Sequence, residues 1–293
     1  MTASFVIVNY NRKDEILLTI SKTKETIKNI PVEFELIVVD NASTDGSAAA
    51  IKEKFPDVVL IENPVNTGAP AWNIGFERAK GDYFIILDDD SHVENGLDKA
   101  LAYMEQHKDI GALALNIAGG GYQTTKWKDL EEKDGFIGCG AIIRKELYDK
   151  IGGYADWIFL YTNEWEYGVR CWEAGYKVIY FANCHVTHRA SVINRTSKRL
   201  IVFSVRNEMA IVYKYFSKGT RNKYVTRVFL NNLKGIKKYG LSSISWYYAA
   251  LKEFLKLKKT LPHTPVRREV QDAYQKRFWS TRHVIKHLFV SAD

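Results

Sequence analysis

The 293-residue chain is 46% hydrophobic and 26% charged, the proportions of an ordinary globular protein, which excludes disorder and low complexity. Its length allows one large domain, or one domain with an appendage, and no run of about 18 uninterrupted apolar residues offers a membrane span. The net charge of +8 conceals a division: residues 1–188 hold 19 Lys+Arg against 29 Asp+Glu, a net of −10, and residues 189–293 hold 23 against 5, a net of +18. Such a basic tail suits an anionic partner, a membrane surface or a nucleic acid.

The N-terminal "MTASFVIVNYNRKDE" lacks a basic region before its short apolar run and a small-residue cleavage site after it, so it reads as a first core strand and not a signal peptide. "SFVIVNY", "FELIVVD", "VVLIEN" and "YFIILDD" are short and apolar on both faces, as parallel strands covered by helices are. Helical windows at 13–27, 47–55, 69–79 and 95–106 alternate with them. The fold class is therefore α/β, with a mixed, mainly parallel central sheet.

Polar residues gather where these strands stop: Asn9 and Asn11 after the first, Asp40, Asn41 and Asp45 after the second, and Asp88, Asp89 and Asp90 after the fourth. Ligands of open α/β sheets bind beyond the carboxyl ends of the strands, so these groups should share a crevice. Turn chemistry explains "DNASTDGS" equally well, and Asp45 is also a candidate helix cap. Three adjacent carboxylates need a positive partner. In an extended chain Asp88 and Asp90 face one side and Asp89 the other, so a divalent cation, Mg²⁺ or Mn²⁺, is expected at Asp88 and Asp90, completed by a diphosphate.

Further on, the glycines at 119–121 form a flexible connection without the lysine of a phosphate-binding loop, and no dinucleotide fingerprint occurs. In "TNEWEYGVRCWEAGYK", Asn163 is a candidate N-cap with Glu166 as its capping-box partner, and Glu166 also stands four residues before Arg170. Glu164 has neither partner, and the helix dipole is expected to keep it ionised, as a general base should be. His188, after the strand "KVIYF", is a candidate third metal ligand, with His185 as its competitor. The three cysteines, Cys139, Cys171 and Cys184, show no metal spacing and read as packed thiols of a reducing cytosol.

From about Ile193 the pattern is helical. "KRLIVFSVRNEMAIVYKYF" and "WYYAALKEFLKLKK" mix aromatic and aliphatic residues with Lys and Arg, as interfacial membrane helices do, although helices packed on the main domain with a solvated basic side would read alike.

The ordered set "SFVIVNYNR", "ELIVVDNASTDGS", "NTGAPAWNIGFERAKGDYFIILDDD", "GFIGCGAIIRKEL", "FLYTNEWEYGVRCWEAGYKVIYF" and "HVTHR" resembles the family 2 glycosyltransferases, over residues 4–190. That resemblance implies the GT-A fold at 1–192, with 193–293 as a basic, aromatic-rich helical tail that meets a membrane or forms a homodimer. It also implies an inverting transferase that takes a sugar from a UDP- or dTDP-linked donor to a glycan or lipid-linked acceptor. Asn9, Asn11, Asp40, Asn41, Asp45, Asn66, Asn73, Asp88 and Asp89 would surround the nucleotide sugar, and Asp88, Asp90 and His188 the metal. The family's Glu-Asp base motif reads Asn-Glu here, so either Glu164 or Glu166 takes the proton. "NEWE" and the segment after it are most similar to rhamnosyltransferase-like enzymes of bacterial surface polysaccharide synthesis, peripheral on the inner face of the cell membrane, with no nucleic acid as partner. A nucleotidyltransferase is the alternative, but "VNYNRKDE" lacks its triphosphate loop. A non-catalytic nucleotide-sugar-binding module, its tail on membrane or nucleic acid, is the other.

Overall fold

The computed structural model describes residues 1–119, 122–189 and 196–279. Nine strands form one sheet: β1 (Thr2–Asn9), β2 (Glu33–Asn41), β3 (Val59–Asn63), β4 (Tyr83–Asp88), β5 (Ser91–Asn95), β6 (Ile110–Gly119), β7 (Tyr122–Gln123), β8 (Ala141–Arg144) and β9 (Lys177–His188). Their order is β3-β2-β1-β4-β8-β6-β9-β5, with β7 paired to β6. The first four strands run parallel, β8 is antiparallel to both β4 and β6, β9 is parallel to β6, and β5 is antiparallel to β9. The sheet is thus mixed and mainly parallel, as expected.

Alternation along the buried strands divides the core. Phe5, Ile7, Ile85 and Leu87 point to one face, where Ile16 and Ile20 of α1 (Lys13–Ile27) cover them. Val6, Phe84 and Ile86 point to the other, under Phe76 of α3 (Ala71–Arg78). Gly75 lets α3 sit this close, because a Cβ there would lie 2.3 Å from a Val6 methyl. The first face is completed by α2 (Ser47–Lys54) and α4 (Leu97–Gln106), the second by α5 (Lys145–Ile151) and α6 (Asn163–Glu173).

The tail folds into α7 (Ser197–Tyr215), α8 (Lys218–Asn232), α9 (Ile236–Tyr239), α10 (Ile244–Leu257) and α11 (Arg268–Trp279). Val205, Met209, Val212, Tyr247 and Phe254 form a second core that also takes in Val169 of α6 and the partly buried Trp157, Trp165 and Trp172. Arg267 Nη2 donates to Trp172 O at 2.8 Å, and the Tyr215 hydroxyl donates to Glu166. These helices therefore close onto α6. The expected boundary at 192/193 lies outside the described residues, as do Gly120 and Gly121 of the glycine connection.

Candidate active site

Because α1 and α3 cover opposite faces, the carboxyl ends of β1, β2 and β4 open into a crevice where the strand order reverses. The polar residues there are mutually bonded. Asn9 Nδ2 donates to Asp40 Oδ2 at 2.9 Å, and Asp40 Oδ1 accepts from Ser43 N at 2.9 Å. Asn11, at φ 53°, accepts from Thr44 N at 2.7 Å, a left-handed position that asparagine tolerates. Asp45 accepts from Lys13 N at 2.8 Å and Ser47 N at 3.0 Å, so one carboxylate ties the starts of α1 and α2. Against its partial desolvation, these bonds hold the Asp45 carboxyl below the usual range. Asn41 Nδ2 donates to Asn66 Oδ1 at 3.0 Å, and Asn41 Oδ1 accepts from Thr67 N at 3.1 Å. The next residue, Gly68 at φ +69°, is obligatory, since a Cβ would fall 1.9 Å from Phe159 O.

The aspartate run departs from the expected alternation. The strand stops at Asp88, where Ser91 Oγ accepts from Asp88 N at 2.9 Å and closes a turn. Asp88 and Asp89 both line the cavity, whereas Asp90 is fully buried and does not. Arg12 Nη1 lies 2.7 Å from Asp89 Oδ1 and 3.0 Å from Asp90 Oδ2, so a guanidinium supplies the countercharge among the carboxylates. Burial pushes the Asp89 carboxyl up to about 7, against the pull of Arg12 and with the addition of Asp90 and Asp88.

His188 is buried, with Nε2 3.0 Å from Asp90 Oδ1, while His185 is exposed beside Asn116. Among the described residues, the group that could hold a metal is Asp88, Cys139 and His188, whose ligand atoms all lie within 4.8 Å of one another. A carboxylate, an imidazole and a thiol in this spacing fit a divalent cation, and Asp90 stands behind His188 as the carboxylate that fixes a ligating ring. Cys139 thus has a polar neighbourhood as well as the burial expected of it. Cys171 and Cys184 are buried in apolar surroundings that raise both thiols, Cys171 to about 12.

Helix α6 begins after Thr162, one residue before the expected cap at Asn163. Tyr161 and Thr162 both have positive φ, 64° and 62°, and Asn207 of α7 holds the turn by donating to Leu160 O at 2.9 Å and Tyr161 O at 2.8 Å. Glu164 lines the cavity, with Oε1 accepting from Gly138 N at 3.0 Å. Enclosure by protein pushes its carboxyl up to about 7, with the Asp88 charge adding to the effect. Enclosure thus works against the helix dipole that was expected to keep Glu164 ionised. Glu166 is buried away from the cavity, accepts from Arg170 Nη2 at 2.8 Å and takes the Tyr215 hydroxyl bond. Of its two expected partners, Arg170 is found and Asn163 is not. Asn73 likewise lies outside the cavity and grips both backbone polar groups of Tyr154, at 2.8 and 2.7 Å.

The cavity encloses about 390 Å³. Of the sequence-selected residues, Asn41, Asn66, Asp88, Asp89 and Glu164 line it; Asn9, Asn11, Asp40, Asp45, Asn73, Asp90, Glu166 and His188 do not. Sequence reasoning missed Arg12, Trp72, Tyr154 and Thr162, and the whole wall contributed by α7 with Arg199 and Ser204. Among the described residues, Trp72 Nε1, Tyr154 Oη, Thr162 Oγ1 and Ser204 Oγ have no hydrogen-bond partner. Each such buried atom costs about 1–3 kcal/mol, and all four belong to residues that line the cavity.

Residues 4–168 match the model of the family described as Glycosyl transferase family 2. The chain is 37% identical over 101 residues to a poly(ribitol-phosphate) beta-glucosyltransferase of Bacillus spizizenii, covering 32% of this chain and 15% of that protein. It is 32% identical over 113 residues to an undecaprenyl-phosphate 4-deoxy-4-formamido-L-arabinose transferase of Pseudomonas savastanoi, covering 36% of this chain and 34% of that one. The matched segments thus span about a third or less of these relatives. Among solved structures, S. aureus TarS 1-349 in complex with UDP-GlcNAc superposes with a TM-score of 0.63 at 17% identity, covering 98% of this chain and 88% of that one, a likeness of fold.

Proposed function

The chain belongs to glycosyl transferase family 2, and from that premise we propose that it is an inverting transferase moving a sugar from a UDP- or dTDP-linked donor to a hydroxyl of a glycan or lipid-linked glycan. The observation that carries this reading is that one cavity holds both Asp88, at the candidate metal cluster, and the enclosed carboxyl of Glu164. A displacement at a sugar carbon needs those two functions together: charge management for a departing diphosphate and a base for the attacking hydroxyl.

In this mechanism Asn41 and Asn66 border the nucleoside, and Asn9, Asn11 and Asp40 order the loop beneath it; Asp45 and Asn73 tie neighbouring segments. Glu164, ionised, accepts the acceptor's hydroxyl proton while that oxygen bonds to the anomeric carbon. The nucleoside diphosphate leaves from the opposite face with the bonding pair, and the configuration inverts. Glu164 is favoured over Glu166 because Glu166 is committed to Arg170 and Tyr215. Of the two expected ions Mn²⁺ suits this donor set better than Mg²⁺: Asp88 and His188 would hold it beside Cys139, with Asp90 orienting the imidazole, and it would stabilise negative charge on the diphosphate. Arg199, at the start of α7, adds positive charge at the cavity wall.

The sugar moved in this reading is rhamnose or another hexose, in bacterial surface polysaccharide synthesis. The phosphate-bearing substrates named for the two relatives support an acceptor of that kind, and a lipid-linked acceptor places the protein at the inner membrane face. No helix among the described residues is long and apolar enough to cross a membrane; the contact proposed is peripheral. The test is nucleoside diphosphate release from a panel of UDP- and dTDP-sugars, with proton NMR of the product linkage. An inverted anomeric centre, lost in Glu164→Gln, supports the reading; a retained configuration refutes it.

A further inference from the structure

The surface of the tail carries a feature that the cavity does not use. Nine large apolar side chains are exposed among the described residues, and five of them, Leu230, Leu241, Ile244, Tyr248 and Leu255, fall in the short stretch from α8 to α10. Ile244, Tyr248 and Leu255 are spaced i, i+4 and i+11, which places them within one narrow stripe of α10. Leu241 immediately precedes that helix and is 78% exposed; Tyr248 is 68% exposed. The buried face of the same helix, Tyr247, Ala250 and Phe254, is already satisfied against α7, with the Phe254 and Tyr213 rings edge-on at 5.8 Å. The outer stripe is left 42–78% exposed once the helix's own core contacts are made.

Its surroundings select the partner. Residues 216–260 contain 11 Lys+Arg and a single acid, Glu253, and Lys237, Lys238, Lys252 and Lys256 are exposed around the stripe. A second copy of the chain would bring two such basic faces together. A nucleic acid would meet the lysines but leave the aliphatic stripe unburied. An anionic bilayer satisfies both, with apolar side chains entering the acyl boundary and lysines among the headgroup phosphates.

We propose that α10 and the turn before it are a docking face for anionic phospholipid, lying in the plane of the bilayer. This deepens the peripheral placement proposed above. The same α7 that α10 packs against supplies Arg199 and Ser204 to the cavity, so docking would fix the cavity mouth relative to the membrane surface.

The test is flotation of the full chain with vesicles of phosphatidylcholine alone and of phosphatidylcholine with phosphatidylglycerol, alongside sedimentation velocity. Wild type is expected to float with the anionic vesicles and not the neutral ones. The double substitution Ile244→Asp with Tyr248→Asp should weaken this about tenfold or more, while Lys252→Glu with Lys256→Glu should remove the anionic preference. Both pairs are exposed, so circular dichroism and nucleoside diphosphate binding should match wild type. If the variants float as wild type does, this face is refuted while peripheral attachment stands. If wild type floats with neither vesicle, both fall, and the reading of the cavity, tested in solution, is untouched. Equal flotation on both vesicle types refutes the anionic selectivity, and a dimer that the aspartates dissolve assigns the stripe to a second copy.

Discussion

Replacing Glu164 by Gln should make the protein both less active and more stable, and the size of the second effect follows from its surroundings. Enclosure and the nearby Asp88 raise the carboxyl from the ordinary 4.5 to about 7. A raised acid binds its proton more tightly in the folded state, so folding stability is undiminished below pH 4.5, falls as pH rises between the two values, and carries the full penalty above about 7. At about 1.4 kcal/mol per pH unit the penalty is about 3 kcal/mol. Glutamine keeps the oxygen that accepts from Gly138 N but never ionises. Urea unfolding should therefore show Glu164→Gln more stable than wild type by about 2–3 kcal/mol at about pH 8, with the two converging toward about pH 5. Wild-type turnover should rise with pH through about 7 as the base ionises, and the variant should lose about 10²–10⁴-fold in rate together with that limb. A variant no more stable than wild type at the higher pH, or an acid limb near the ordinary carboxylate value, would refute the argument.

Glu166→Ala should behave in the opposite way: removing the partner of partly buried Arg170 and of Tyr215 should cost about 3 kcal/mol in denaturant unfolding, while the turnover of folded protein keeps its acid limb. Arg12→Met strips the countercharge from Asp89 and Asp90, so the melting temperature should fall, and Mn²⁺ should restore more of it than Mn²⁺ adds to wild type; equal metal shifts in both would contradict the account. Asn207→Ala releases two carbonyls of the turn before Glu164 and should cost about 2 kcal/mol in unfolding, with a fall in kcat measured well below the melting transition. Unchanged kcat would separate that turn from catalysis.

The α/β frame was legible because β1, β2 and β4 are apolar on both faces, a pattern that covered parallel strands share, and because α1 follows its window to the residue at both ends. Strand-end chemistry located the crevice, although of its residues only Asn41, Asp88 and Asp89 line it. What the sequence concealed were side-chain destinations. The Asp-x-Asp argument assumed an extended chain, but the turn at Ser91 sends Asp90 into the core, toward His188 and Arg12. Arg12 sits three residues past its strand and reads locally as part of a helix start; its partners lie 77 and 78 residues away. The spacing to Arg170 marked Glu166 as a paired carboxylate, but its second contact, with Tyr215 from the tail, and the place of Glu164 on the cavity wall were not legible. The α7 wall was hidden for the same reason. Helical pattern shows that Arg199 and Ser204 belong to a helix, not that the helix returns to the crevice.

The central claim, that this crevice receives a nucleoside diphosphate with a divalent cation, is tested most directly by isothermal titration calorimetry of UDP and dTDP, with and without Mn²⁺, on wild type and Asp88→Ala. The account expects one diphosphate to bind only when the metal is present, and Asp88→Ala to abolish that binding without loss of fold. Binding of neither nucleotide under any condition, or metal-independent binding that survives Asp88→Ala, would contradict it.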